Sequence, residues 1–282
     1  RWTLNSRTDM LHTSWKHICN QDFISQIWTP SQHTKDAFIN GGIEKEINIV
    51  PHGVDTDIFN GDAKSDSNLK SGKFTFLYSG GWAQGANDRR AVDILLRAYT
   101  EEFKKDENTR LLLKLNPAYG QNLQIFMQMI ESLGLKPKDQ RAEIQILTNI
   151  VPYQQLPSVY KIADVFVMPT KAEAFGLTCL ESMACGVPVI SNDYGGQVDF
   201  LVDRENSILL HKGEMIPASD MNIFYEEALW KSIKQKEFQE SMRYAFDNPN
   251  EMKQMGQNSV QKAKEFTWEN SAKVAKDFLE NI

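Results

Sequence analysis

"PTKAEAFGLTCLESMACGVPVI" (169–190) places two glutamates, Glu173 and Glu181, eight positions apart in an otherwise apolar stretch broken by glycine. The run before it, "DVFVM" (164–168), reads as a buried strand. "GLTCLESMACG" reads as a helix, and "VPVI" (187–190) as the next strand. Strand, loop, helix and strand make one βαβ unit. The same alternation extends outward through "KFTFLYS" (73–79), "RLLLKL" (110–115), "AEIQIL" (142–147) and "SILL" (207–210), with helical patterns such as "RRAVDILLRAYTEEF" between them. Near-continuous apolar strands alternating with helices predict an α/β fold, a Rossmann-like, doubly wound parallel sheet.

In such a sheet, ligands bind beyond the carboxyl ends of the strands. A helix starting near Ala174 to Gly176 offers free N–H groups and a positive dipole end there, a site suited to a diphosphate. Were residues 173–181 fully helical, the two acids would stand roughly 12 Å apart. That is the reach of a sugar-diphosphate-ribose unit, with a carboxylate for paired hydroxyls at each end. On spacing alone a plainer reading stands beside it: Glu173 favours the helix dipole and Glu181 faces solvent.

The composition bounds the alternatives. The 282 residues are 41% hydrophobic and 24% charged, an ordinary globular balance. Net charge is −6 with lysine and arginine scattered, so no nucleic-acid partner is expected and an acidic ligand must be held locally. Cys19, Cys179 and Cys185 have no CxxC spacing and read as reduced thiols in a cytoplasmic chain, at most peripheral to a membrane. No run of roughly 18 apolar residues is present, and no signal-peptide pattern opens the sequence. The first residue is Arg1, so a processed, truncated or engineered start is expected.

The first 50 residues differ from the rest. "ISQIWTPSQHTKDAFINGGIEKEINIVPHGVD" gives strand, helix and strand, with Ser31 or Thr34 to cap the helix and Gly41-Gly42 to end it. Residues 51–72 include a polar, loop-like stretch that reads as a linker to a main domain at 73–221. From about Asn222 the chain reads as almost wholly helical, with Trp230, Phe238 and Met242 as core and residues 222–282 packing on the flank of the sheet.

With four segments in order, the sequence resembles the retaining GT-B glycosyltransferases of glycosyltransferase family 4. "EAFGLTCLE" followed by "SMACGVPVI" resembles that family's E-x7-E segment, and "VPYQQLPSVYKIADVFVMPTKAEAFGL" its lead-in. "VPHGVDTDIF" resembles its interdomain segment, and "SGGW…RRAVDILLRAY" its phosphate loop. The resemblance runs from about Ile27 to Leu210. It implies that Glu173 contacts donor sugar hydroxyls, that Glu181 contacts the ribose, and that backbone N–H groups of Phe175, Gly176 and Leu177 hold the distal phosphate. Arg90 falls where the family has a lysine and would neutralise the diphosphate. Gly80 and Gly81 would admit the phosphates closely, and Val151 and Pro152, with Tyr153 beside them, would frame the base. Trp82 stands where the family often has an arginine, a loss for which Arg89 would compensate.

The family has an N-terminal acceptor domain facing a C-terminal donor domain. Residues 1–50 resemble only the end of the first, so most of the acceptor domain is expected to be absent or on another chain. The implied function is retaining transfer of a hexosyl unit from a UDP- or GDP-sugar to an unidentified sugar, lipid or protein acceptor. No cofactor and no metal are expected, since no D-x-D-like acid pair lies near the phosphates. The alternative is a nucleotide-sugar-binding module without transfer activity of its own. A dehydrogenase would need Gly-x-Gly-x-x-Gly after a strand, which is missing. His12, His17 and Cys19 are too few for a zinc site. His52 reads as structural and Asp193 as part of a turn with Tyr194 to Gly196.

Overall fold

The computed structural model describes residues 8–82, 89–115, 123–218 and 227–280. The N-terminal part comprises α1 (Ser14–Cys19), β1 (Gln26–Thr29), α2 (Gln32–Asn40) and β2 (Glu46–Ile49). Next come β3 (Phe74–Gly80), α3 (Val92–Glu102), β4 (Thr109–Leu115), α4 (Leu123–Ser132), β5 (Glu143–Leu147) and α5 (Leu156–Tyr160). After these lie β6 (Val165–Met168), α6 (Leu177–Ala184), β7 (Val189–Asn192) and β8 (Ser207–Leu210). The chain closes with β9 (Met215–Pro217), β10 (Leu229–Lys231), α7 (Gln235–Asp247), α8 (Pro249–Ala263) and α9 (Trp268–Glu280).

Six of the strands form one parallel sheet in the order β5-β4-β3-β6-β7-β8. Successive side chains point to opposite faces of a strand, and the core divides accordingly. Phe76, Tyr78, Leu111, Leu113, Val165 and Val167 pack on the face covered by α3 and α7. Leu77, Leu112, Phe166 and Val189 pack on the other face, with Cys179, Leu180 and Met183 of α6. Both faces are covered, which is why these strands carry almost no polar alternation. The doubly wound α/β sheet expected from the sequence is present.

Strand order reverses between β3 and β6: the chain leaves β3 for β4 and β5 on one side, then returns to β6, β7 and β8 on the other. The crevice at such a reversal is where an open α/β sheet takes its ligand. Gly80, at the end of β3, and the loop after Met168 lie at the carboxyl ends of these two strands and carry several of the candidate site residues.

The N-terminal part forms its own parallel pair, β1 with β2, around Phe38, Ile27, Ile43, Ile47 and the buried Cys19. Ser31 caps α2 by accepting from Thr34 N at 3.2 Å, and Gly41 ends it, as expected. Two expectations for the tail are corrected. Leu229–Lys231 is a strand antiparallel to Met215–Pro217, and the first helix described in the tail starts only at Gln235. Trp230, Phe238 and Met242 are buried as read, but Trp230 reaches the core from a strand. The last helix does not flank the sheet: Ser271 Oγ donates to Pro51 O at 2.5 Å, and Phe278 lies 6.5 Å from Trp28. It returns to the N-terminal part, where a short bridge joins Val54 to Thr267.

Ala91, the N-cap of α3, holds a left-handed backbone with φ 49° and ψ 39°. A Cβ makes that conformation costly, by about 1–2 kcal/mol. Ala91→Gly is therefore expected to stabilise the fold by about 1 kcal/mol after its own entropy loss, read as a rise in Tm of roughly 2 °C. A lower Tm for the variant would mean that the residue is not strained.

Candidate functional site

The β6–α6 connection is built around Glu173. Gly176 has φ +95° and serves as the N-cap of α6, so the helix begins at Leu177, later than the sequence suggested. A side chain at Gly176 would also meet Gln197 Cβ at 2.9 Å. Residues 173–176 are therefore a non-helical turn, and the fully helical spacing of the two acids does not apply. Glu181 lies one turn into α6, and Glu173 stands ahead of the helix in the loop.

The turn is pinned from behind. Gly196 N donates to Glu173 O at 2.7 Å, and a Cβ on Gly196 would stand 2.0 Å from Ala174 O. Gly195 and Gly196 are thus required by close approach, a firmer role than the turn expected for them. Ahead of the pinned carbonyls, the N–H groups of Phe175, Gly176, Leu177 and Thr178 have no protein acceptor among the described residues. These first donors of a helix are what an anionic group would take. The Phe175 ring itself is buried beside His52 and Phe200, at centroid distances of 5.1 Å and 5.3 Å.

Across the crevice, a Cβ on Gly80 would lie 2.9 Å from Arg90 Nη1, so the absent side chain makes room for the Arg90 guanidinium over the end of β3. The neighbouring Gly81 offers its carbonyl to the Tyr78 hydroxyl. Arg89, expected to compensate for the missing arginine at position 82, is tied to the loop that carries Glu173. Its Nη1 donates to Thr170 Oγ1 and to Glu173 Oε2, each at 3.2 Å, and also to Ala172 O. Its own carbonyl accepts from Lys171 N at 2.8 Å. Arg89 thus braces the Glu173 loop through side chain and backbone, and its buried charge is balanced by the glutamate.

Glu181 is neither a solvent-facing residue nor an ordinary acid. Tyr160 OH donates to its Oε2 at 2.7 Å. Desolvation raises the carboxyl from its usual value near 4.5 to about 7, against the lowering effect of that hydrogen bond. Tyr160 is buried against Phe59 and Phe166, at 6.0 Å and 5.7 Å, and burial raises its own hydroxyl well above the ordinary range. Tyr153, exposed and edge-on to Phe59 at 5.2 Å, also lies within the field of Glu181. Val151 is half-buried and packs against the same core cluster. Of the segment read as framing the base, Tyr153 is thus tied to the surroundings of Glu181.

Other residues singled out in the sequence fall elsewhere. Asp193 accepts from Lys231 and pairs with His211 Nδ1 at 2.8 Å; it belongs to an ion cluster beyond β7 and β8, which raises the His211 imidazole. Burial lowers the His52 imidazole, and its ring lies between Phe175 and Trp268. Asp55 and Asp57 spell D-x-D, but Asp55 Oδ1 accepts from Asp57 N and Ile58 N at 3.0 Å and 3.3 Å to shape a turn. His12 bonds Ser14, His17 bonds Gln21, and no helix among the described residues is long and apolar enough to cross a membrane. Tyr160 and the contacts of Ser31 on the loop were not among the sequence-based candidates. The single aromatic hydroxyl in "SVYKIADVFVM" was the one available signal for the tyrosine.

The geometry agrees with what the chain is similar to. A D-inositol 3-phosphate glycosyltransferase of Segniliparus rotundus is 26% identical over 230 residues, covering 81% of this chain and 45% of that protein. A GDP-mannose-dependent alpha-(1-6)-phosphatidylinositol monomannoside mannosyltransferase of Mycolicibacterium smegmatis is 28% identical over 200 residues, covering 64% and 47%. The chain thus spans less than half the length of these two relatives. Among solved structures, the sucrose-phosphate synthase of Thermosynechococcus elongatus superposes with a TM-score of 0.70 at 19% identity, over 95% of this chain and 60% of that one, a likeness of fold. The family profile for glycosyl transferases group 1 matches residues 65–262, and the chain belongs to that family.

Proposed function

We propose that this chain forms the donor-binding half of a retaining glycosyltransferase that moves a hexosyl unit from a UDP- or GDP-sugar to an acceptor. The observation that carries this reading is the placement of Glu173 and Glu181 on either side of unsatisfied N–H groups at the sheet's reversal point. In this reading the diphosphate sits on the N–H groups of Phe175, Gly176 and Leu177, facing Arg90 and the backbone at Gly80 and Gly81. Glu173, braced by Arg89, accepts from sugar hydroxyls. Glu181 accepts from the ribose, and Val151 borders the base. Residues 1–50 belong to the acceptor side, 51–72 link the two parts, 73–221 bind the donor and 222–282 are accessory.

Negative charge grows on the diphosphate as the sugar–phosphate bond breaks. Fixed donors aimed at that charge stabilise the transition state more than the ground state. Arg90 and the helix N–H groups supply them, so donor binding is expected to need no divalent cation. The acceptor attacks the face that the leaving phosphate vacates, which retains the anomeric configuration. The names of the relatives supply probes: GDP-mannose as donor and D-inositol 3-phosphate as acceptor, alongside UDP-glucose and UDP-N-acetylglucosamine. Incubation with each donor, followed by NMR before mutarotation, is expected to show one donor consumed with α-configured product or free sugar. A β product would overturn retention, and tight binding without turnover on any acceptor would favour the binding-module reading.

A further inference from the structure

The loop that carries Glu173 is held by residues far from it in sequence. Ser31 Oγ donates to Ala174 O at 2.6 Å across a separation of 143 residues, and Thr34 Oγ1 lies 3.2 Å from the same carbonyl. Both hydroxyls are fully buried and sit at the start of α2, in the N-terminal part. A trans peptide unit is planar, with its C=O and N–H pointing in opposite directions. Fixing Ala174 O toward α2 therefore fixes Phe175 N–H away from it. The next unit back is fixed as well: Glu173 O accepts from Gly196 N at 2.7 Å, while Ala174 N is taken by Glu173 Oε1 at 3.1 Å. Two consecutive carbonyls are thus turned outward; of the N–H groups paired with them, Ala174 N–H is taken by Glu173 and Phe175 N–H is left to the crevice.

We infer that Ser31, supported by Thr34, is a positioning residue for the donor diphosphate: its hydroxyl sets the orientation of the Ala174–Phe175 peptide and so aims the Phe175 N–H at the phosphate. This rests on the proposed function above and adds to it a residue outside the donor half. Ser31 touches no ligand atom in this account; it acts through one carbonyl. A flipped Ala174–Phe175 peptide would place a carbonyl dipole where a phosphate oxygen belongs, replacing an attraction with a repulsion.

The same N-terminal part has another contact with this region that does not involve the loop carbonyl. Asp199 Oδ2 accepts from Gln32 N at 2.9 Å, one residue beyond Ser31. Asp199→Ala therefore loosens the contact without releasing Ala174 O, and serves as the control for general loosening. Ser31 also caps α2, so Ser31→Ala costs cap stability, whereas Thr34→Val removes only the second hydroxyl at nearly constant volume.

The test is calorimetric titration of UDP and GDP, and of the matching nucleosides uridine and guanosine, into the full chain and the three variants, with Tm measured for each. Wild type is expected to bind one of the two diphosphates saturably. Ser31→Ala is expected to weaken that binding about tenfold and Thr34→Val about threefold, while the matching nucleoside binds all four proteins alike and Asp199→Ala keeps wild-type diphosphate affinity. Diphosphate affinity unchanged in Ser31→Ala, or lowered equally in Asp199→Ala, overturns the positioning role while leaving the proposed function standing. Failure of wild type to bind either diphosphate overturns both.

Discussion

Glu173→Gln is expected to lower kcat/KM for the preferred donor by about two orders of magnitude, as the loss of a charged hydrogen-bond acceptor worth roughly 3 kcal/mol implies. The glutamine amide has one acceptor oxygen where the carboxylate has two, so it keeps Arg89 and gives up the bond from Ala174 N; Arg89 still holds Thr170 and Ala172, and the fold survives. Arg89 is buried, and its 3.2 Å partner becomes neutral, which predicts a secondary loss of stability. The two effects separate by position. UDP or GDP alone, which lacks the sugar that Glu173 holds, should bind the variant nearly as well as wild type. A variant with full turnover would remove Glu173 from the site, and one that loses UDP and GDP equally with the sugar donor would move it to the phosphates.

Glu181→Gln is expected to act in two opposite directions. The folded carboxyl keeps its proton up to about pH 7, whereas the unfolded one ionises near 4.5. Between those values the native state binds more protons than the unfolded state, so wild-type stability falls as pH rises through that window. The full gap corresponds to about 3 kcal/mol. A neutral glutamine that still accepts from Tyr160 avoids this cost. The variant should therefore match wild type near pH 4 and exceed it in Tm at pH 8. Donor affinity should change the other way, falling about tenfold to a hundredfold at pH 8, because an ionised acceptor for the ribose hydroxyls is gone. Wild-type affinity should fall as pH drops below 7 more steeply than that of the variant, which retains only the titration of the phosphates. Equal Tm at pH 8 would show that the acid is not desolvated in the folded protein. Unchanged donor affinity would place the ribose elsewhere.

These expectations describe a fold that accepts instability at its proposed binding site. Glu181 is held among Tyr160, Cys179 and Cys185, in surroundings that disfavour its charge. An apolar residue at 181 would suit the core beneath α6 better. In the proposed function, a ligand completes the hydrogen bonds of the acid, which is the reading that joins it to Glu173.

The sheet was legible in the sequence because strands covered on both faces must be apolar throughout, and six such runs are separated by helical patterns. The candidate site was marked by two acids in an apolar stretch, but their spacing alone also fitted a helix-dipole acid and a solvent-facing one, and it was the resemblance of four ordered segments that singled them out. The parts that escaped reading depend on contacts distant in sequence or on backbone geometry. Leu229–Lys231 is too short for a period-two pattern to show, so Trp230 fitted a helical repeat as well as a strand. The left-handed backbone at Gly176 moved the start of α6, which spacing alone does not reveal. The charge of Arg89 was visible in the sequence, and its pairing with Glu173, distant in the chain, was not. Ser31 was legible as a helix cap, but its bond to Ala174 lies 143 residues away.

The most direct measurement is calorimetric titration of UDP-glucose, UDP-N-acetylglucosamine and GDP-mannose, in EDTA, into wild type, Glu173→Gln and Glu181→Gln. The account predicts saturable one-to-one binding of one donor without a divalent cation, weakened in both variants. Binding that requires a divalent cation, or that both substitutions leave unchanged, would contradict it.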